Sequence, residues 1–198
     1  MVMMTSSQKN KIISIGIDVG SVNGAISVVS EKGKILLLTK APCYQTEIKS
    51  KRNKSKLNKV TGKYEVDYRK RTWVDFKKLR ELFEPYLKYN IIYTIERIKA
   101  RSQEGESASF VNGNSLGVFQ GLYALLQPIA YFEPDPAKWK HEFGLNAVKY
   151  NTIELAEEMY KVKLRDYLSK GKVDDIAEAL LLSFYGFKKY YEINERTK

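Results

Sequence analysis

A short acidic motif near the C-terminus constrains this chain most, because it interrupts a segment that otherwise has the composition of a buried helix. The segment Val173–Leu182 has the sequence VDDIAEALLL. On a helix, Glu178 lies on the same side as Asp175 and Asp174, with about 5–6 Å between Cβ atoms. Carboxylates this close repel one another, and a bound Mg²⁺ or Mn²⁺ ion relieves the repulsion. The alternative is a solvated helix start, where the helix dipole favours aspartate.

Two further carboxylates stand at the ends of predicted strands. The run Ile12–Ser21 is apolar and β-branched, and it carries Asp18 just before a turn signal. The run Ile91–Arg97 repeats the pattern and carries Glu96. A carboxylate buried at a strand end is costly unless a partner compensates it. One such acid is usually structural, but two strand acids followed by an acidic helix predict a divalent-cation site.

The bulk composition fits one domain with a polyanionic partner. A chain of 198 residues has the size of a single α/β domain, and we expect residues 1–198 to form one. The net charge of +11 favours nucleic acid as that partner, because basic proteins gain affinity for it by releasing its counterions.

The sequence shows no sign of secretion or of membrane insertion. No apolar run has the length of a membrane span, and Met1–Lys11 lacks the apolar stretch of a signal peptide. We therefore expect a cytoplasmic protein without a membrane partner. The only cysteine, Cys43, cannot form an internal disulfide or a cysteine-rich zinc site. The only histidine, His141, is interpreted as a surface or capping residue, so carboxylates must carry any hydrolytic chemistry.

The rest of the chain predicts an alternation of strands and helices. Two short β-rich runs separated by a tight turn follow the Asp18 strand, so the sheet opens as an antiparallel meander. A helical pattern then precedes the Glu96 strand, as in α/β folds. The predicted strands are 12–21, 24–30, 34–39, 91–97 and 129–132, and the predicted helices are 73–89, 108–126, 137–140, 151–160 and 173–189.

The predicted helix at 108–126 is unusual for its glycines. Gly113, Gly117 and Gly121 stand four residues apart. Each costs a soluble helix about 1 kcal/mol relative to alanine. Their spacing therefore predicts close packing against another backbone, either inside the monomer or in a second copy of the chain.

A long basic segment separates the third strand from the first helix. Between Gln45 and Arg71 the periodicity vanishes, and lysines and arginines are interspersed with Tyr64 and Tyr68. We predict a basic loop that contacts DNA phosphates without reading base sequence, the alternative being a merely solvated insertion. The predicted DNA-binding residues are Lys49, Lys51, Arg52, Lys54, Lys56, Arg69, Lys70 and Arg71.

Taken together, these motifs resemble the RNase H-like superfamily, and within it the RuvC-like Holliday junction resolvases, especially the small phage-type members. The resemblance rests on IGIDVGS at 15–21, IER at 95–97 and DDIAEALLL at 174–182. The segments at 109–121 and 134–140 also fit. Each motif is degenerate, but their order and spacing cover nearly the whole chain except the basic loop.

The resemblance implies both a fold and a ligand set. The fold is α/β, with a five-stranded mixed sheet whose first three strands are antiparallel, flanked by helices. Asp18, Glu96 and Glu178 are implied to hold two Mg²⁺ or Mn²⁺ ions per active site. A spacing of three residues, as in bacterial RuvC, selects Asp175 as the remaining ligand, whereas a spacing of four selects Asp174. We favour Asp175.

The activity that the resemblance implies is metal-dependent resolution of branched DNA at four-way junctions. Two ions about 3.5–4 Å apart orient a water for in-line attack on a phosphodiester, and the product carries a 5′-phosphate. A junction has two opposed strands to cut, which favours a homodimer. Lys149 or Lys172 is implied as an assisting positive charge, the favoured alternative being a solvated surface lysine.

Three alternatives stay open from the sequence. The chain could be a related nuclease that acts on flaps or RNA–DNA hybrids. It could be a junction-binding protein without catalysis. The segment DVGS at 18–21 also resembles the phosphate motif of actin-like ATPases and sugar kinases, although those proteins need a second such domain and the chain has no second Asp-Xaa-Gly strand.

Overall fold

The computed structural model describes residues 11–20, 24–49, 56–57, 64–65, 68–98, 105–145, 149–168 and 173–196. Two short 3₁₀ turns, at Glu84–Tyr86 and Leu164–Tyr167, accompany the regular elements. In chain order these elements are β1 (Ile12–Asp18), β2 (Ala25–Ser30), β3 (Ile35–Lys40), β4 (Cys43–Lys49), β5 (Lys56–Leu57), β6 (Tyr64–Glu65), β7 (Tyr68–Val74), α1 (Phe76–Phe83), β8 (Asn90–Ile95), α2 (Glu106–Leu126), β9 (Ala130–Phe132), α3 (Pro136–Glu142), α4 (Lys149–Tyr160) and α5 (Asp174–Arg196).

The centre of the molecule is a five-stranded mixed sheet with the strand order β3-β2-β1-β8-β9. The first three strands pair antiparallel, and β8 and β9 continue the sheet parallel to β1. The predicted α/β fold with this sheet is therefore confirmed. Among the described residues, no helix has both the length and the hydropathy that a membrane span requires.

Side-chain alternation gives the sheet two different faces. Ile13, Ile15 and Ile17 of β1 belong to a core formed with α1 and α2. The residues between them point to the opposite face, because successive strand side chains alternate. That second face is covered by α5, with α3 and α4 packed around it. Asp18 continues the second series, so its side chain belongs to the α5 face.

The helix α5 lies unusually close to β1. A Cβ atom on Gly16 would lie 2.1 Å from the Ala179 carbonyl oxygen, so only glycine fits there. The Ser183 hydroxyl, one turn further along α5, donates to the Ser14 carbonyl oxygen at 3.3 Å. The helix therefore runs antiparallel to β1, and its first turn lies beside Asp18 at the carboxyl end of the strand.

The predicted basic loop, 45–71, is wrong at both ends, because its first and last residues belong to β-strands. β4 and β7 pair antiparallel over seven residues, from Cys43 opposite Val74 to Lys49 opposite Tyr68. A two-residue pairing of β5 with β6 lies between them. We call the β4–β7 pair the hairpin. The sequence does not indicate its strands, because polar side chains occupy both faces of the hairpin and the alternation typical of a half-buried strand is missing.

The predicted start of the first helix is also wrong. Trp73 belongs to β7, and helix α1 begins only at Phe76. The Asp75 carboxylate accepts a hydrogen bond from the Lys78 backbone N–H at 3.1 Å, which caps the helix. The helical spacing of Trp73 and Phe76 is a coincidence, because Trp73 precedes the capping residue Asp75 in the chain and Phe76 follows it.

Among the described residues, no backbone packs against the glycines of α2 inside the monomer, which was one of the two predicted arrangements. Gly113, Gly117 and Gly121 are exposed, and a Cβ atom on any of them would meet no described atom within 4 Å. The described part of the chain therefore places no backbone against this glycine face.

Candidate metal centre

The two strand carboxylates lie side by side at one edge of the sheet. β1 and β8 are parallel neighbours, and Ile17 is paired with Ile95. The Glu96 backbone N–H donates to the Ile17 carbonyl oxygen at 3.0 Å, which continues this pairing beyond the strand. Asp18 and Glu96 each follow these paired isoleucines by one residue, so both side chains project onto the α5 face.

The helix α5 adds a third carboxylate. Asp18, Glu96 and Glu178 each offer an oxygen atom, and the three atoms lie within 4.8 Å of one another. We call this group the carboxylate cluster. Burial raises the pKa of Asp18 well above its ordinary value, and the charges of Glu96, Glu178 and Asp175 raise it further. Concentrated negative charge in a poorly solvated place is the electrostatic signature of a cation site.

The adjacent aspartates of α5 have different surroundings. Asp175 forms an ion pair with Lys40, the last residue of β3, and its charge acts on Asp18. It lies four residues before Ala179, on the stripe of α5 that faces β1. Asp174 is buried, at 7% exposure. Within the described residues, neither aspartate has an oxygen among the three that lie within 4.8 Å of one another, although Asp175 borders that group.

Two residues of α3 hold carboxylates of the cluster, and neither was recognised in the sequence. Lys140 places its Nζ 2.8 Å from Glu178 Oε1. The Trp139 indole N–H donates to Glu96 Oε1 at 2.9 Å. Both residues belong to the motif PDPAKWK at 134–140, but nothing in the sequence shows that α3 lies against this site.

A third neighbour, Lys40, was missed as well. Lys40 is the last residue of β3, and its ammonium group forms an ion pair with Asp175. Lys149 and Lys172, the predicted assisting charges, have side chains outside those described. Their predicted role stays a prediction.

The predicted DNA-binding residues divide into three groups. Lys49 of β4 and Arg69 and Lys70 of β7 are exposed on the hairpin. Arg71 is half-buried: its Nη2 donates to the Ser107 hydroxyl at 2.5 Å and its guanidinium lies 5.5 Å from the Trp73 ring centroid. The remaining positions have no described side chain, namely Lys51, Arg52, Lys54 and Lys56, of which only Lys56 has a described backbone, in β5.

The hairpin leaves the sheet at the edge that carries the carboxylate cluster. Lys40, which contacts Asp175, precedes the first hairpin residue, Cys43, by three positions. At the other strand of the hairpin, the Asp75 backbone N–H donates to the Pro42 carbonyl oxygen at 2.8 Å, which closes its base. The exposed basic strands and the cluster therefore share one end of the molecule.

The chemistry of the cluster fits a hard divalent cation. Its three donors are carboxylates, which Mg²⁺ and Mn²⁺ prefer over softer metals. The raised pKa of Asp18 shows that protein groups alone leave its charged form destabilised. Lys140 and Lys40 supply compensating charge at Glu178 and Asp175, at the sides of the cluster.

Comparison with known proteins establishes the fold. No protein-family model matches the chain, and no curated protein matches it. The structure of T. thermophilus RuvC in complex with a Holliday junction substrate matches with a TM-score of 0.55 and 13% identity, over 90% of this chain and 96% of that one. A second Thermus thermophilus RuvC structure matches with a TM-score of 0.50 and 12% identity, over 92% and 96%. The chain therefore has the RuvC-like, RNase H-like fold.

Proposed function

We propose that this protein is a divalent-metal-dependent endodeoxyribonuclease that resolves branched DNA, with four-way junctions as its substrate. The observation that carries the proposal is the carboxylate cluster, whose three oxygens meet within 4.8 Å at one edge of a RuvC-like sheet. One of the matching RuvC structures contains a Holliday junction substrate, which supports this substrate class.

In this proposal Asp18, Glu96, Glu178 and Asp175 hold two Mg²⁺ or Mn²⁺ ions. A two-ion centre supplies an oriented water and stabilises the charge of the leaving oxygen, and such hydrolysis leaves a 5′-phosphate end. The charges of Glu96, Glu178 and Asp175 all act on Asp18, so each of these three carboxylates is an electrostatic neighbour of Asp18. No histidine or nucleophilic side chain is required.

The surrounding cations make this acidic site accessible to a polyanion. Four carboxylates alone would repel a phosphate backbone, but Lys140 and Lys40 each offset one of them. The exposed Lys49, Arg69 and Lys70 add positive charge on the hairpin that leaves the same edge. Phosphate contacts of this kind position DNA without selecting a base sequence.

The direct test is cleavage of a fixed set of end-labelled substrates with Mg²⁺: a four-way junction, a flap, an RNA–DNA hybrid and a linear duplex. The proposal predicts paired nicks in opposed strands of the junction and slower cutting of the other three. Preferred cutting of the flap or the hybrid would replace the junction as substrate. Tight junction binding without any cutting would identify a non-catalytic binding protein instead.

The choice between the adjacent aspartates has its own test. Asp175→Asn should reduce cleavage more than Asp174→Asn, because Asp175 borders the carboxylate cluster and acts on the charge of Asp18. Single-turnover cleavage of the junction by both variants measures the difference. The reverse order would assign the ligand to Asp174.

The proposed enzyme acts as a homodimer through the glycine face of α2. Gly113, Gly117 and Gly121 are exposed, and no described atom lies within 4 Å of a Cβ atom built on any of them. Phe110, which lies on the same side of the helix one turn before Gly113, is 61% exposed. A second copy of the helix could approach closely over such glycines, and two-fold symmetry would match the two strands of a junction.

Light scattering tests the dimer. Gly117→Trp should convert a dimer to a monomer while the chain still folds, because no described atom lies within 4 Å of the new Cβ. Glu81→Trp, at an exposed position of α1, is the matched control and should remain dimeric. A monomeric wild type that cuts both junction strands independently would contradict the proposed assembly.

A further inference from the structure

One hydrogen bond to the carboxylate cluster comes from an uncharged donor, whereas the contacts that Lys40 and Lys140 make there are ion pairs. Trp139 is fully buried, at 0% exposure, and its indole N–H donates to Glu96 Oε1 at 2.9 Å. An indole N–H is a donor only, and it carries no charge. The next residue, Lys140, binds Glu178 through an ammonium group. Two consecutive residues of α3 thus hold two carboxylates of the cluster by different chemistry.

The difference matters when a divalent cation binds. An ammonium group competes with a cation for a carboxylate, because both are attracted by the same negative charge. A neutral N–H donor does not compete, and it can hold one carboxylate oxygen while the other coordinates. Donors that bind a ligand from outside in this way orient it and commonly change metal affinity by about tenfold to a hundredfold when they are removed.

Contacts at both ends of α3 hold Trp139 in place. The Arg97 backbone N–H donates to the Pro134 carbonyl oxygen at 3.0 Å, which ties the start of α3 to the residue after Glu96. At the other end of α3, the Trp139 ring lies edge-on to Phe143, with centroids 6.0 Å apart, and Phe143 contacts Phe184 of α5. The indole is therefore held between the Glu96 strand and the helix that supplies Glu178.

We infer that Trp139 is a positioning residue of the metal centre: its indole N–H fixes the carboxylate of Glu96 in the orientation that binds the cation. The inference rests on the proposed metal-dependent function. It assigns a role to the Trp139 N–H that is separate from the ring's contribution to the core.

The test is the affinity of the folded protein for Mn²⁺, measured by titration calorimetry without DNA. Trp139→Phe keeps an aromatic ring and removes the N–H, and it should raise the Mn²⁺ dissociation constant by about tenfold or more. Trp73→Phe is the matched control, because the Trp73 N–H donates to Thr46 in the hairpin. A purely structural loss at Trp139 would lower the unfolding temperature but leave the dissociation constant of the folded protein unchanged.

A second measurement does not depend on the variant folding. The chain has two tryptophans, so the wild type gives two indole N–H proton resonances, which the Trp73→Phe protein assigns. The Trp139 resonance should shift during a Mg²⁺ titration, with the midpoint that calorimetry gives for Mg²⁺ under the same conditions, and the Trp73 resonance should not. Equal Mn²⁺ affinity of Trp139→Phe and wild type, or an unshifted Trp139 resonance in a protein that binds the ion, would overturn the inference alone. A wild type that binds neither ion would overturn the proposed function as well.

Discussion

The carboxylate cluster and the hairpin lie at the same edge of the molecule, but they are built in opposite ways. The cluster combines β1, the end of β8 and the first turns of α5, which touches β1 so closely that Gly16 admits no side chain. The hairpin has only two strands, and its basic residues Lys49, Arg69 and Lys70 project into solvent. One region is fixed by the core of the protein, and the other is fixed mainly by its own pairing.

This difference follows from what each region is proposed to do. Coordination and phosphodiester cleavage depend on atomic positions, so the carboxylates need rigid elements. Contacts with DNA phosphates depend on charge within a few ångströms and tolerate varied positions. Substitutions in the cluster should therefore abolish cleavage and spare binding, whereas substitutions in the hairpin should weaken binding first.

The largest expected effect is on cleavage by Asp18→Asn. The substitution should lower the single-turnover cleavage rate of a four-way junction by several orders of magnitude, because the proposed metal centre loses one of its charged carboxylate ligands. Junction affinity should stay equal or rise, since a negative charge near the phosphates is removed. Asp166→Asn, at an exposed site in the 3₁₀ turn, is the control and should cut normally. Near-normal cleavage by Asp18→Asn would remove the cluster from the mechanism.

The next largest effect is on stability, when the close contact between β1 and α5 is disturbed. Gly16→Ala should destabilise the protein by about 3 kcal/mol, because the new methyl group would meet the Ala179 carbonyl oxygen. Gln45→Ala, on the exposed surface of β4, should change stability by no more than about 0.5 kcal/mol. Urea unfolding of the two variants measures the contrast. Equal stabilities would contradict the close packing of α5 against β1 at Gly16.

The cluster could be predicted from sequence because its carboxylates break local patterns. Asp18 and Glu96 end apolar strands, and Glu178 stands in an apolar helix, so each is conspicuous without tertiary information. The partners of these groups could not be predicted. Lys40 meets Asp175 across 135 positions, and Trp139 lies against Glu96 only because α3 folds over the sheet edge.

The hairpin shows the opposite limit of sequence analysis. Its charges were visible, but its strands were not, because an exposed two-stranded ribbon has no apolar face with a period of two. Arg71 illustrates the consequence. The sequence groups it with the phosphate contacts, yet in the structure it is engaged with Ser107 and Trp73, so it holds the hairpin to α2.

A third prediction measures the hairpin's part in binding. Replacing Lys49, Arg69 and Lys70 together with alanine should weaken binding to every DNA shape. The slope of log affinity against log salt should fall by about 2.7 on duplex arms, at about 0.9 for each phosphate that is no longer neutralised. Cleavage at saturating enzyme should fall far less than affinity does.

A matched triple variant controls for net charge. Lys32 and Lys34 lie in the β2–β3 turn at the opposite edge of the sheet, and Lys163 follows α4; all three are exposed. Their replacement by alanine removes the same charge and should leave most of the salt slope intact. Equal slopes for the two triple variants would mean that net charge, and not the hairpin, sets the affinity.

The smallest expected effect is on the pH dependence of stability in the metal-free protein. Because the pKa of Asp18 is raised on folding, mainly by burial, the folded state takes up a proton more readily than the unfolded state. Stability from this group is present at low pH and is lost as pH rises from about 4 through the raised pKa. Urea unfolding with a chelator at pH 5 and pH 8 should show a smaller loss for Asp18→Asn than for wild type. An equal loss would contradict the electrostatic account of the cluster.

The most direct test of the central claim is a crystal structure with Mn²⁺, located by its anomalous scattering. We expect anomalous density about 2 Å from carboxylate oxygens of Asp18, Glu96 and Glu178, the distance at which small divalent cations bind oxygen. The density should appear at Mn²⁺ concentrations that support junction cleavage. Density at another site, or an empty cluster at those concentrations, would contradict the claim that these carboxylates form the metal centre of a nuclease.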